Sequence, residues 1–315
     1  MTIATPWPRQ MLNRDRDRSL TSVVERLAGM NAQTKRGPIV GLWTRVADYR
    51  HDEYLSLLQS YELVRANLMR GTVHLVTRRQ YAAWRNCLQP IAERTVAQFC
   101  RGLWTVVDHD DLLDAGRNLL GSHPGRTRAE IGTHLAPNFP DANPKDLGFA
   151  IRMLLPVVEV ADSDPWRSSR TAYVLAESVL GEELADDGTA DLAASFQRAY
   201  GPATAADVSY WSGLRIKDVA RAVDDPIEEP PRPAFVLPEF DNVLFCRKND
   251  PELAAVKKRL IYPPAKMYGS VVTDGRVTGH WAFERGTPVR TDWQPPNHAV
   301  EAEWREFADW SASMS

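Results

Sequence analysis

The sequence predicts a mainly α-helical fold with short β-wings: three tandem winged-helix modules followed by a C-terminal β-rich segment. Three observations point there. Residues 1–106 run helix, helix, helix and then a short strand pair, residues 107–186 repeat a helix pair followed by a hairpin, and residues 187–231 end in two helices joined by a glycine turn. A chain of 315 residues also exceeds one ordinary core and suits several modules of about 100 residues or fewer.

In the first module a helix begins near Ser19 or Leu20, where Leu20, Val23, Val24 and Leu27 keep one-face spacing. The stretch Gly29 to Arg36 follows, and a second helix is expected after Pro38, since proline suits a first turn and spoils an interior. Asp52 to Leu68 repeats apolar residues at helical spacing, and Leu68 to Thr77 switches to a β-type pattern with Arg70-Gly71 as the bend. Arg79 to Leu103 reads as one long helix leading to the second module. There Thr127 and Glu130 stand at capping-box spacing, Leu147 to Leu155 reads as helix, and Val157 to Val160 with Thr171 to Val174 flank a polar turn. The third module opens at Asp191, with a helix from Ala205 to Trp211, Gly213 as the turn and a second helix from Ile216 to Val223. In residues 232–315, Phe235 to Phe245 and Ser270 to Phe283 are rich in β-formers, Asp274-Gly275 is a hairpin turn, and the last residues return to helix.

Composition excludes several classes. No apolar run approaches the roughly 20 residues of a membrane span, and the N-terminus lacks the apolar core of a signal peptide, so a cytoplasmic protein without membrane contact is expected. Cys87, Cys100 and Cys246 show neither a paired framework nor Cys-x-x-Cys spacing. His123, His134, His280 and His298 are scattered without metal-ligand spacing. No metal and no cofactor are expected, and a lyase lysine is unsupported. The net charge of -3 conceals an asymmetry: residues 1–106 carry 16 Lys and Arg against 8 Asp and Glu, the remainder 22 against 33. Such a split is the footprint of a face that meets a polyanion, and equally of a merely solubilising arginine-rich surface.

The chemistry-bearing candidates cluster in the basic part. Asn31 and Gln33 are two neutral amides beside Lys35 and Arg36, which by spacing alone read as helix-end braces. Arg70, Thr72 and His74 alternate, so they would project from one face of a strand, either lining a site or as a satisfied histidine and a solvated arginine. Lys35, Arg36, Arg45, Arg65, Arg78 and Arg79 are candidate phosphate contacts. Trp43 and Trp84 are candidate stacking platforms or core. Glu239 and Asp241 read as structural.

Four stretches taken in order, Gly29-Met30-Asn31-Ala32-Gln33-Thr34-Lys35-Arg36, Leu68 to Val76, Tyr200-Gly201-Pro202-Ala203-Thr204 and Leu237-Pro238-Glu239-Phe240-Asp241-Asn242, resemble the AlkZ-type winged-helix DNA glycosylases. That family removes bulky alkylated bases, and some members protect antibiotic producers from their own genotoxins. Its Gln-aliphatic-Gln motif falls on Asn31-Ala32-Gln33, with Gln33 matching the second amide and Asn31 a shorter departure from the first. The family shares Arg-Gly-Thr-x-His, here Arg70 to His74. The resemblance implies a monofunctional glycosylase acting on double-stranded DNA that carries N7- or N3-alkylated purines, as a monomer, with Gln33 and Asn31 catalytic and with His74, Thr72, Arg70, Lys35, Arg36, Arg45 and Trp43 contacting substrate or DNA. The alternative is a non-catalytic winged-helix DNA-binding protein, a regulator or a holder of damaged DNA; a scaffold without DNA affinity is a third reading.

Overall fold

The computed structural model describes residues 7–15, 17–219, 230–262 and 266–314. Among them are 13 α-helices and small antiparallel sheets. Two units repeat one order of elements. In the first, helix Leu20–Arg26 leads to strand Met30–Asn31, helices Arg36–Arg45 and His51–Gln59, and strands Leu63–Asn67 and Val73–Thr77. In the second, helix His109–Ser122 leads to strand Arg126–Thr127, helices Arg128–Leu135 and Pro144–Leu154, and strands Val157–Glu159 and Ala172–Leu175. In both sheets the last strand lies in the middle, flanked by the other two.

Local chemistry sets many of these boundaries. Thr127 and Glu130 form the expected capping box, each side chain bonding the other's backbone N–H. A second such box, Thr77 with Gln80, opens helix Arg78–Trp84. Asp274 and Gly275 both adopt positive φ (48° and 73°) in the turn that joins Gly269–Thr273 to Arg276–Glu284, as a two-residue hairpin requires. Gly29 has φ 80°, and a Cβ there would stand 2.7 Å from Val76 Cγ1, so only glycine lets the chain turn from the first helix onto the sheet.

The structure departs from the expected elements in four places. Leu63–Asn67 is a strand rather than the end of a helix, paired with Val73–Thr77 from Leu63↔Thr77 to Asn67↔Val73; four of its five residues are buried, which erases the alternation that marks a half-exposed strand. The expected helix Arg79 to Leu103 is split into Arg78–Trp84, Gln89–Phe99 and Leu103–Val106, with Pro90 in a first turn and Gly102 at φ 85° in the breaks. Phe235 to Phe245 is strand only over Ala234–Leu237 and ends in the 3-10 turn Asn242–Phe245. In the third unit helices Thr189–Tyr200 and Ala205–Ser212 form, and Gly213 turns the chain at φ 86°, but Ile216–Asp218 is a single 3-10 turn that ends at an extended Val219, and residues 220–223 of the expected helix lie outside the described residues.

Packing joins the parts along lines that the sequence divisions do not follow. One core unites Val64, Tyr81 and Trp84 with Val158, Phe196, Trp211 and Phe235. A second joins the helices of the first unit to Trp166, Val236, Trp281 and Phe307. The third is confined to residues 92–175. The C-terminal four-stranded sheet, ordered Thr287–Asp292, Arg276–Glu284, Gly269–Thr273 and Ala234–Leu237, thus shares a core with helix Arg36–Arg45; Thr44 Oγ1 donates to the Val236 carbonyl at 2.8 Å. No helix among the described residues is long and apolar enough to cross a membrane.

Candidate nucleic-acid interface

The amide stretch lies on the edge of the first sheet. Met30 and Asn31 pair with Leu75 and His74, and the Ala32 N–H donates to the Val73 carbonyl at 2.8 Å. Beyond Ala32 the chain leaves the sheet and enters helix Arg36–Arg45, so Gln33, Thr34 and Lys35 form its rim. The Asn31 side chain is buried, and its Oδ1 accepts the Gln33 N–H at 3.1 Å. Gln33 is exposed.

A cleft of about 580 Å³ opens beside this rim. Gln33, Thr34, Lys35 and Arg36 form one wall; Arg152, Glu159, Trp166 and Arg167 from the second unit form another; Glu239, Tyr262 and Phe283 from the C-terminal part close it. Lys35, Arg36, Arg65, Arg152 and Arg167 face two carboxylates, Glu159 and Glu239, which leaves a net positive surface suited to a phosphate backbone. Part of that charge is already engaged. Lys35 Nζ binds Asp162 and the Arg170 carbonyl, and Arg65 Nε donates to Glu159 Oε2 at 2.8 Å. Arg36 Nε donates to the Trp166 carbonyl at 2.7 Å while its guanidinium lies 4.8 Å from the Phe283 ring centroid.

Of the residues singled out by sequence, the cleft gathers Gln33, Lys35, Arg36 and Arg65. Others stand elsewhere. Trp43 is 2% exposed, stacked on Trp310 at 5.0 Å and beside Phe307; it is core and offers no face to a base. Arg45, 1% exposed, pairs with Asp241 at 3.1 Å and donates to the Gln10 and Gly41 carbonyls, so it braces the interior and meets no phosphate. Asp241 is thereby structural, as expected. Arg70 is not on the strand: with φ 56° it occupies the bend before it, donates to the Trp211 carbonyl and lies over Phe245 at 5.5 Å. Thr72 Oγ1 donates to the Met69 carbonyl at 3.1 Å.

His74 is fully buried. Its Nδ1 donates to the Thr72 carbonyl at 3.0 Å, and burial together with the Arg70 charge pushes its pKa down to about 3, so it is a neutral ring at ordinary pH. Arg152, Trp166, Arg167, Glu239, Tyr262 and Phe283 complete the cleft without having been singled out for it. The arginine and serine run at 167–170 is a local signal for Arg167, and Glu239, read from the sequence as structural, lies in one of the stretches that carry the resemblance.

These walls can hold an anionic backbone and present an amide to a group bound between them. The model of the AlkZ-like DNA glycosylases matches residues 24–229 and 221–312 of the sequence. The chain belongs to the AlkZ-like DNA glycosylase family. Among solved structures, the fold is similar to that of the Streptomyces sahachiroi DNA glycosylase AlkZ, with a TM-score of 0.73 at 20% identity, covering 98% of this chain and 95% of that one. No curated protein matches the sequence. As a DNA glycosylase of the AlkZ-like family the protein takes DNA as its substrate.

Proposed function

We propose that this glycosylase hydrolyses the N-glycosidic bond of bulky N7- or N3-alkylated purines in double-stranded DNA, leaving an abasic site, in repair or in self-resistance to a genotoxin. The observation that carries this reading is the exposure of Gln33 at the rim of a cationic cleft, while the residues before it are buried. An alkylated N7 or N3 makes the purine cationic and already a good leaving group, so the site needs little acid catalysis. It needs a positioned water and dipoles that tolerate positive charge on the sugar in the transition state, and an amide oxygen supplies both. Gln33 orients the water. Asn31 acts through Gln33, because its Oδ1 holds the Gln33 N–H and its side chain lies away from the cleft. Arg36, Arg152 and Arg167 hold the backbone.

Within this proposal residues 1–106, 107–186 and 187–231 serve as winged-helix modules and 232–315 as the β-rich segment that closes the cleft, in a cytoplasmic monomer. The shared element order and strand order of the first two units support the winged-helix reading.

The test is incubation with duplexes carrying a small and a bulky N7-alkylguanine, followed by alkaline cleavage at abasic sites. Cleavage is expected with the bulky adduct, and Gln33→Ala is expected to lower the excision rate by about 100-fold or more with affinity within about threefold. Intact strands on both duplexes together with tight, salt-dependent binding would overturn the enzyme reading in favour of a lesion-holding protein.

A further inference from the structure

The two carboxylates of the cleft are in different states. Glu159 is spent on the Arg65 guanidinium. Glu239 has one neutral partner: Thr34 Oγ1 donates to its Oε2 at 2.9 Å, while Oε1 accepts no hydrogen bond from a described residue. Thr34 directly follows Gln33, and its hydroxyl is oriented by the Gly37 N–H, which donates to Oγ1 at 3.1 Å. That leaves the hydroxyl proton for Glu239. On the other side, Phe240 has φ 59° and Asp241 is anchored to Arg45. The turn that carries Glu239 is thus pinned from the interior, and the carboxyl is held one residue from the amide that faces the cleft.

We infer that Glu239 is a second catalytic group of this site, accepting the proton that the attacking water loses. The inference rests on the glycosylase reading of Gln33. In the step, the C1′–N bond breaks with its electron pair leaving on the cationic purine, which departs neutral. The water oxygen bonds to C1′, and its proton passes to the Glu239 carboxylate, so charge and atoms balance without another reactant. Burial holds the Glu239 carboxyl above its ordinary range, against the pull of the Thr34 hydrogen bond and of Arg36, which suits a group that must keep a proton briefly. Arg36 from the helix behind Thr34 and Tyr262 across the cleft are the charged and titratable groups that it feels.

Single-turnover excision of a duplex lesion, corrected for spontaneous base loss and followed from pH 4.5 to 8, tests this. Wild-type rates should fall on an acidic limb as Glu239 takes up a proton. Glu239→Gln should be slower by about 100-fold or more, lose that limb, and keep its duplex affinity; Glu239→Asp should recover part of the rate. Thr34→Val, which removes the hydrogen bond that favours the carboxylate, should move the limb to higher pH and keeps the test alive if Glu239→Gln does not fold. A Glu239→Gln protein with the wild-type rate and profile overturns the inference, as does an unmoved limb in Thr34→Val. A wild-type protein that leaves the lesion in place overturns the glycosylase reading itself, before any variant is compared.

Discussion

Arg65 and Glu159 join the two repeated units beneath the cleft. Arg65 Nε meets Glu159 Oε2 at 2.8 Å with both side chains 8% exposed or less, and the same guanidinium donates through Nη2 to the Ala32 carbonyl at 3.0 Å. One buried cation therefore ties the second sheet to the first and holds the backbone just ahead of Gln33.

Removing one partner of this pair leaves an uncompensated charge. Glu159→Ala should lower unfolding stability by about 3–5 kcal/mol, measured by urea denaturation. The apolar double replacement Arg65→Met with Glu159→Leu should recover most of that loss and still excise poorly, because the Ala32 carbonyl has lost its anchor. Full activity in the double variant would show that the anchor is dispensable.

Stability should fall in acid because of His74. Its folded pKa of about 3 lies below the ordinary 6.5, so the unfolded chain takes up a proton that the folded chain refuses. The stabilisation is present above pH 6.5 and is lost as pH falls from there towards 3, with a slope of up to about 1.4 kcal/mol per pH unit. Urea midpoints measured across that window for wild type and His74→Gln check this: the variant should show a shallower slope.

Trp43 belongs to the stability of the fold. Trp43→Ala should cost about 3–5 kcal/mol, since the stacking on Trp310 and the contact with Phe307 are lost. At a temperature where the variant is folded, its affinity for DNA should match wild type; a selective loss of affinity would return Trp43 to the interface.

Arg167 and Arg45 should separate in a salt titration of DNA binding. Arg167 is 58% exposed on its side chain, at the mouth of the cleft, and Arg167→Ala should reduce the salt slope by about 1. Arg45→Ala removes a buried partner of Asp241 and should appear as lost stability. Equal salt slopes for wild type and Arg167→Ala would place the phosphate track elsewhere.

Elements closed by neighbouring residues were legible in the sequence. The Thr127 and Glu130 cap, the Asp274-Gly275 turn, the Arg70-Gly71 bend and the C-terminal helix, His298–Ser313, each follow from side chains within a few positions. Leu63–Asn67 was not legible, because a strand covered on both faces has no alternation to read. Nor was the partner of Asp241 legible, since Arg45 lies 196 positions away.

The sequence by itself determined several of the helices, the Thr127 cap, the Asp274-Gly275 turn and the basic character of the first part, and four short stretches, Asn31-Ala32-Gln33 among them, carried the resemblance to the family. Tertiary structure alone decided which of its cations line the cleft. It buried Arg45 and Trp43, turned Arg70 and His74 inward, spent Lys35 on Asp162, and brought Glu239 against Thr34 across 205 positions. Local conformation depends on near neighbours and is written in short windows. Burial and partnership depend on which surfaces meet when the cores close, and residue identity in a short window carries little of that information.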